Sequence, residues 1–201
     1  MAKTLSGGPL SAKTTSAASP PVSAGISAPL YDWLQNRGAG VLLHPTSLPG
    51  DQGCGVFDAH AIRFLDFLQA SAIKYWQVCP LGPTGYGDSP YQCFSAFAGN
   101  PYLIDLAALV KFDLVTASEL AELAHLSADR VDYGQLYRLK PRLLDSAYAK
   151  FKQTKVALPY GDFEKFCRRQ AHWLDAYAYF RALKDYFNGI VWWDWPADVR
   201  D

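Results

Sequence analysis

Two short apolar runs, Gly40-Val-Leu-Leu-His44 and Tyr75-Trp-Gln-Val-Cys-Pro-Leu81, flank a single amphipathic stretch, and this arrangement limits the fold more than any other feature. Between them Phe57, Ala61, Phe64, Leu65 and Leu68 recur at three- and four-residue steps, the spacing of a helix with one buried stripe. The expected helix runs from about Asp58 to Ala70. Strand, loop, helix and strand in this order make a βαβ unit, whose strands must lie parallel. The chain is therefore expected to be α/β.

The remaining segments have different characters. Residues 1–28 are Ser, Ala, Thr, Pro and Gly with almost no large apolar side chain, too little to offset ordering entropy. They are expected to be a disordered tail, lacking both the apolar core of a secretory signal and the Arg of a transit peptide. Order is expected near Leu30, with a helical turn around Tyr31 to Leu34. Residues 29–110 are expected to hold the first strands and their loops, and residues 111–201 a mainly helical part.

Several end signals mark those helices. Thr116 and Glu119 form a capping box, Pro141 is placed to start a helix, and Asp162 is placed to cap a long one ending at Asn188-Gly189. In that long helix Phe163, Phe166, Gln170, Trp173, Tyr177, Phe180, Lys184 and Phe187 lie about one turn apart. Two parallel strands with these helices do not close a sheet, so the segment reads as part of a larger α/β domain.

Charge and composition exclude some functions. Nineteen basic side chains balance nineteen acidic ones without a basic cluster, which argues against nucleic acid or an anionic membrane as partner. No apolar run reaches the eighteen or so residues of a membrane span. Cys54, Cys79, Cys93 and Cys167 have neither CxxC pairing nor metal-ligand spacing, so they are expected to be thiols of a cytoplasmic protein without metal or cofactor. Aromatic residues make up 14 % of the chain, which suits either a packed core or a surface that stacks on sugar rings.

Position separates these two uses. The loops after the two expected strands, His44-Pro-Thr-Ser-Leu-Pro-Gly-Asp-Gln-Gly and Gly82-Pro-Thr-Gly-Tyr-Gly-Asp-Ser-Pro-Tyr-Gln, leave the end of a parallel sheet where ligands bind. The second loop is too rich in Gly and Pro for a helix or strand, yet it carries Tyr86 and Tyr91, with Phe94, Phe97 and Tyr102 beyond. Its glycines match neither GxxxxGK[ST] nor GxGxxG, so a phosphate cradle is disfavoured. A nucleophilic Ser89 would need a histidine base, for which only His44 is placed. His44 itself is either a packed residue or a member of the site.

The strings GVLLHPTSLPG, YWQVCPLGPTGYGDSPYQ and FSAFAGNPYLIDL, in this order and spacing, resemble the N-terminal part of the 4-α-glucanotransferases. These are the amylomaltases or disproportionating enzymes of glycoside hydrolase family 77. The resemblance covers about Leu30 to Val110 closely and the helical stretch more loosely. It implies a (β/α)8 TIM barrel with an inserted helical subdomain. It also implies transfer of α-1,4-glucan segments among maltooligosaccharides or amylose, with glucose as an acceptor, and no cofactor. The catalytic carboxylates of the family lie on later strands, so no residue here is expected to be the nucleophile or the acid. By the same resemblance Tyr91 stacks under the donor glucose, and Ser89, Asp88 and Gln92 hydrogen-bond sugar hydroxyls. Tyr86 belongs to an outer glucan-binding groove, and His44 is included among the substrate-binding candidates. Phe94, Phe97 and Tyr102 are expected to pin the loop from the core. A non-catalytic glucan-binding or regulatory protein is the alternative.

Overall fold

Gly40–Leu42 (β1) and Tyr75–Gln77 (β2) pair in parallel, with Val41 opposite Trp76. The computed structural model describes residues 37–85 and 87–200; the expectations for residues 1–36 and for Tyr86 lie outside the described residues. Both strands are shorter than expected. The Leu43 N–H still donates to the Gln77 carbonyl at 3.1 Å, but Pro45 and Pro80 have no N–H with which to extend the ladder.

The crossover helix, Ala59–Ala70 (α1), begins where expected because Asp58 accepts hydrogen bonds from the His60 and Ala61 N–H groups. It meets the sheet edge-on through Phe64 and Trp76, whose ring centroids lie 5.0 Å apart. Ala61 and Leu68 are buried, but Phe57 and Leu65, expected on the same stripe, are exposed. A two-stranded sheet is too narrow to cover a full helical face, and the stripe is covered unevenly.

Four short and two long pieces follow. Leu106–Val110 (α2) and Ala117–Ala121 (α3) lead into Tyr133–Thr154 (α4), Phe163–Tyr186 (α5) and the final turn Ala197–Arg200 (α6), with a 3-10 turn at Trp192–Asp194. Leu106, Leu109, Leu114, Leu123, Leu143 and Ala147 bury one apolar cluster between α2, α3 and α4. A second cluster joins Cys54 and Val56 of the first loop to Tyr102 and to Leu136 of α4.

Pro141 does not start a helix. It lies inside α4, which begins eight residues earlier because Asp132 accepts from the Gln135 N–H and caps a turn upstream. The end signals of α5 hold: Asp162 caps its start, and Asn188 and Gly189 leave it with φ of 52° and 79°. Its row starts exposed at Phe163 and Phe166 and is half-buried from Gln170 on, packing through Trp173 on Phe97 and through Phe180 on Phe94 and Trp195.

The capping box at α3 forms in full. Glu119 N–H donates to Thr116 Oγ1 at 3.1 Å, and Thr116 N–H donates back to Glu119 Oε2 at 2.7 Å. The Thr116 N–H and hydroxyl, followed by the Lys150 ammonium, hold the Glu119 carboxyl down at about 2 from an ordinary 4.5. A carboxyl depressed on folding stabilises the fold above its unfolded value and loses that contribution as pH falls through its folded value. The thermal midpoint is therefore expected to drop between pH 4.5 and about 2. Glu119→Gln is expected to flatten that part of the curve, and an unchanged acid limb in this variant would overturn the assignment.

Candidate functional site

The second loop is a small hairpin. Thr84 and Cys93 form an isolated antiparallel bridge, and the Phe94 N–H donates to the Pro83 carbonyl at 3.0 Å. Its tip lies on the Phe94 ring, close enough that a Cβ on Gly85 would fall 2.8 Å from that ring. Gly87 and Asp88 then turn the chain with φ of 84° and 52°. Asp tolerates the left-handed region better than most residues, because its short side chain bonds locally.

That turn presents the polar candidates together. The Asp88 carboxyl is raised by burial, against which a hydrogen bond from the Thr84 side chain acts to lower it. Ser89 Oγ accepts from the Tyr91 N–H at 3.3 Å, and its carbonyl accepts from the Gln92 N–H at 3.0 Å. Tyr91 is 75 % exposed, and its hydroxyl accepts a weak bond from Cys79 Sγ at 3.8 Å, just beyond β2. That contact anchors the rim of the phenol and leaves the ring faces free. Gln92 is exposed beside it.

His44 stands apart from this tip. It caps the 3-10 turn Pro45–Ser47 at the end of β1, and its buried Nδ1 has no hydrogen-bond partner among the described residues. Burial lowers its pKa, so the ring favours the neutral form. No hydrogen bond among the described residues joins His44 to Ser89, which removes the geometric basis for a serine nucleophile.

The pinning residues divide. Tyr102 is buried, and burial followed by the Asp88 charge pushes its phenol up to about 12. Phe94 is half-buried against Phe180. Phe97 is 65 % exposed and not a core residue; it stacks on Trp173 at 5.8 Å and meets His172 edge to face, also at 5.8 Å. Asn100 makes the expected turn, its side chain accepting from the Tyr102 N–H at 2.9 Å while its own N–H closes the loop onto Leu81.

Sequence reasoning missed the groups that join the two loops. Gln52 Nε2 donates to Asp105 Oδ1 at 2.7 Å, and Gln52 Oε1 accepts from the Leu106 N–H at 2.9 Å. Lys140 of α4 is fully buried and donates to the Tyr102 carbonyl at 2.6 Å. Burial brings its pKa down to about 8, with Cys54, Asp105 and Asp58 opposing the shift. One signal for Lys140 was present: it falls between Leu136 and Leu143 at the spacing of the buried stripe.

The family model for 4-alpha-glucanotransferase matches residues 43–201. The chain belongs to this family. It is 49 % identical over 164 residues to the 4-alpha-glucanotransferase of Thermus thermophilus, covering 82 % of this chain and 32 % of that protein. Against the 4-alpha-glucanotransferase of Streptococcus pneumoniae it is 44 % identical, covering 83 % of this chain and 33 % of the relative. Amylomaltase from Streptococcus agalactiae, solved in complex with acarbose, superposes with a TM-score of 0.72 at 35 % identity, over 80 % of this chain and 32 % of that one. The chain thus spans about a third of the length of the family members it matches.

Among the described residues no helix is long and apolar enough to cross a membrane. Cys54, Cys79, Cys93 and Cys167 are all free thiols.

Proposed function

We propose that this segment supplies the donor-sugar face of a 4-α-glucanotransferase, which moves α-1,4-glucan segments from one maltooligosaccharide to another or to glucose. The observation that carries the reading is the hairpin tip at residues 87–92, where Asp88, Ser89 and the open ring of Tyr91 are gathered beyond a parallel strand pair. Parallel α/β sheets place ligands at this end. A flat ring holds a pyranose by its C–H face without fixing its register, which suits a donor of variable length. Asp88, Ser89 and Gln92 supply hydroxyl partners around it. His44 keeps the substrate-binding place that the family resemblance gives it. Tyr86 keeps the outer-groove role that the family resemblance gives it.

In this reading the two strands belong to a (β/α)8 barrel, with residues 111–201 as its inserted helical part and a cytoplasmic location. The reaction proceeds with retention, through a nucleophilic carboxylate and an acid/base carboxyl about 5 Å apart on other strands. The test is incubation of a family-length enzyme carrying this segment with maltotriose. Free glucose together with longer oligosaccharides is the expected product pattern. Binding of maltotriose without any transfer would instead support a non-catalytic glucan-binding protein.

A further inference from the structure

Lys140 is the only charged side chain that is fully buried among the described residues, and no ion pair among them includes it. A methionine or leucine would fill a similar volume without the desolvation cost of an ammonium, so packing alone does not account for a lysine there. What the ammonium does is specific. Its 2.6 Å bond to the Tyr102 carbonyl joins α4 to the 3-10 turn Pro101–Leu103 that follows the hairpin. Cys54 Sγ donates to the same carbonyl at 3.6 Å, and Gln52 holds Asp105 and Leu106 just beyond. The Asn100 N–H donates to the Leu81 carbonyl at 2.7 Å, so the loop that carries the hairpin is closed two residues before the carbonyl that Lys140 holds.

We propose that Lys140 is a positioning residue for sugar binding, clamping the hairpin that carries Asp88, Ser89 and Tyr91 to α4 and to the first loop through the Tyr102 carbonyl. The inference rests on the donor-sugar reading of that tip. It makes the helical part of the chain a determinant of donor binding without itself touching sugar.

The experiment compares Lys140→Met, Tyr91→Ala and the double variant in a family-length enzyme carrying this segment. Lys140→Met is expected to lower kcat/KM for maltotriose about tenfold, with most of the change in KM, because the pocket is misplaced before any chemistry begins. If Lys140 acts through the tip, the double variant loses less than the product of the two single losses, by about threefold or more. Multiplicative losses would mean a merely structural lysine and would overturn the proposal. Hydrogen exchange supplies a readout independent of activity: amides in residues 85–92 are expected to exchange faster in Lys140→Met while those of residues 143–150 keep wild-type protection. Wild-type exchange at the tip would overturn the clamp. Should Lys140→Met not fold, Lys140→Gln, whose uncharged amide nitrogen lies one bond nearer the backbone than the ammonium and so falls short of the Tyr102 carbonyl, takes its place in both measurements with the same direction of change. A wild-type enzyme without transfer activity would count against the functional reading alone, because the exchange comparison still decides the clamp.

Discussion

Tyr91→Ala in a family-length enzyme is expected to reduce maltotriose disproportionation sharply and leave the thermal midpoint unchanged. The side chain is 75 % exposed, and its one polar contact among the described residues is the weak bond from Cys79. Its removal therefore leaves no cavity and no strongly held partner, and the cost falls on the ligand. Stacking on an aromatic ring contributes about 1–3 kcal/mol for other flat ligands, which corresponds to roughly 5- to 150-fold in rate if it is felt in the transition state. Tyr91→Phe separates ring from hydroxyl, because it keeps the stacking face and loses only the Cys79 contact. It is expected to stay near wild type. Full activity of Tyr91→Ala on maltotriose would overturn the donor-pocket placement of the tip.

The 201-residue polypeptide on its own is expected to show no glucan transfer and to associate in solution. The association follows from surface. β1 and β2 form a sheet of two strands, a size that is marginal in water. Leu42 of β1 is 60 % exposed, and Ile62, Leu65 and Phe67 of α1 are open beside it. Unpaired strand edges next to exposed apolar side chains recruit other chains. The helical content from α4 and α5 will persist, so circular dichroism alone would give a misleading picture of integrity. Size-exclusion chromatography with a glucose-release assay on maltotriose is the informative pair. A monodisperse, cooperatively melting monomer would refute the association argument. Measurable transfer would place the chemistry among side chains assigned here to binding.

Much of the local structure was legible because its causes are local. The period of Ala61, Phe64 and Leu68, the cap at Asp58, the box at Thr116 and Glu119, and the exit at Asn188-Gly189 each depend on residues within a turn or two. The parallel pairing of β1 and β2 followed from the length of the crossover between them. The strings around the two loops also carried the family. Pro141 was misread for the complementary reason: a helix start depends on which upstream cap wins, and Asp132 precedes it.

Tertiary contacts decided the rest. Phe97 and Tyr102 have the same aromatic character in sequence, yet one lies open on Trp173 and the other is sealed under α4, because burial depends on what the fold brings over each ring. Leu65 carries the spacing of a core position and stays exposed, since the sheet beneath α1 is only two strands wide. The polar junction of Gln52, Cys54, Tyr102 and Lys140 joins residues 38 to 54 positions apart through hydrogen bonds on backbone groups. A backbone carbonyl is present at every residue and leaves no mark in a sequence. The chain's own letters thus specify the helices, the strand pair and the aromatic-rich loop beyond it, while the contact that α4 makes with the segment after that loop exists only once the chain is folded.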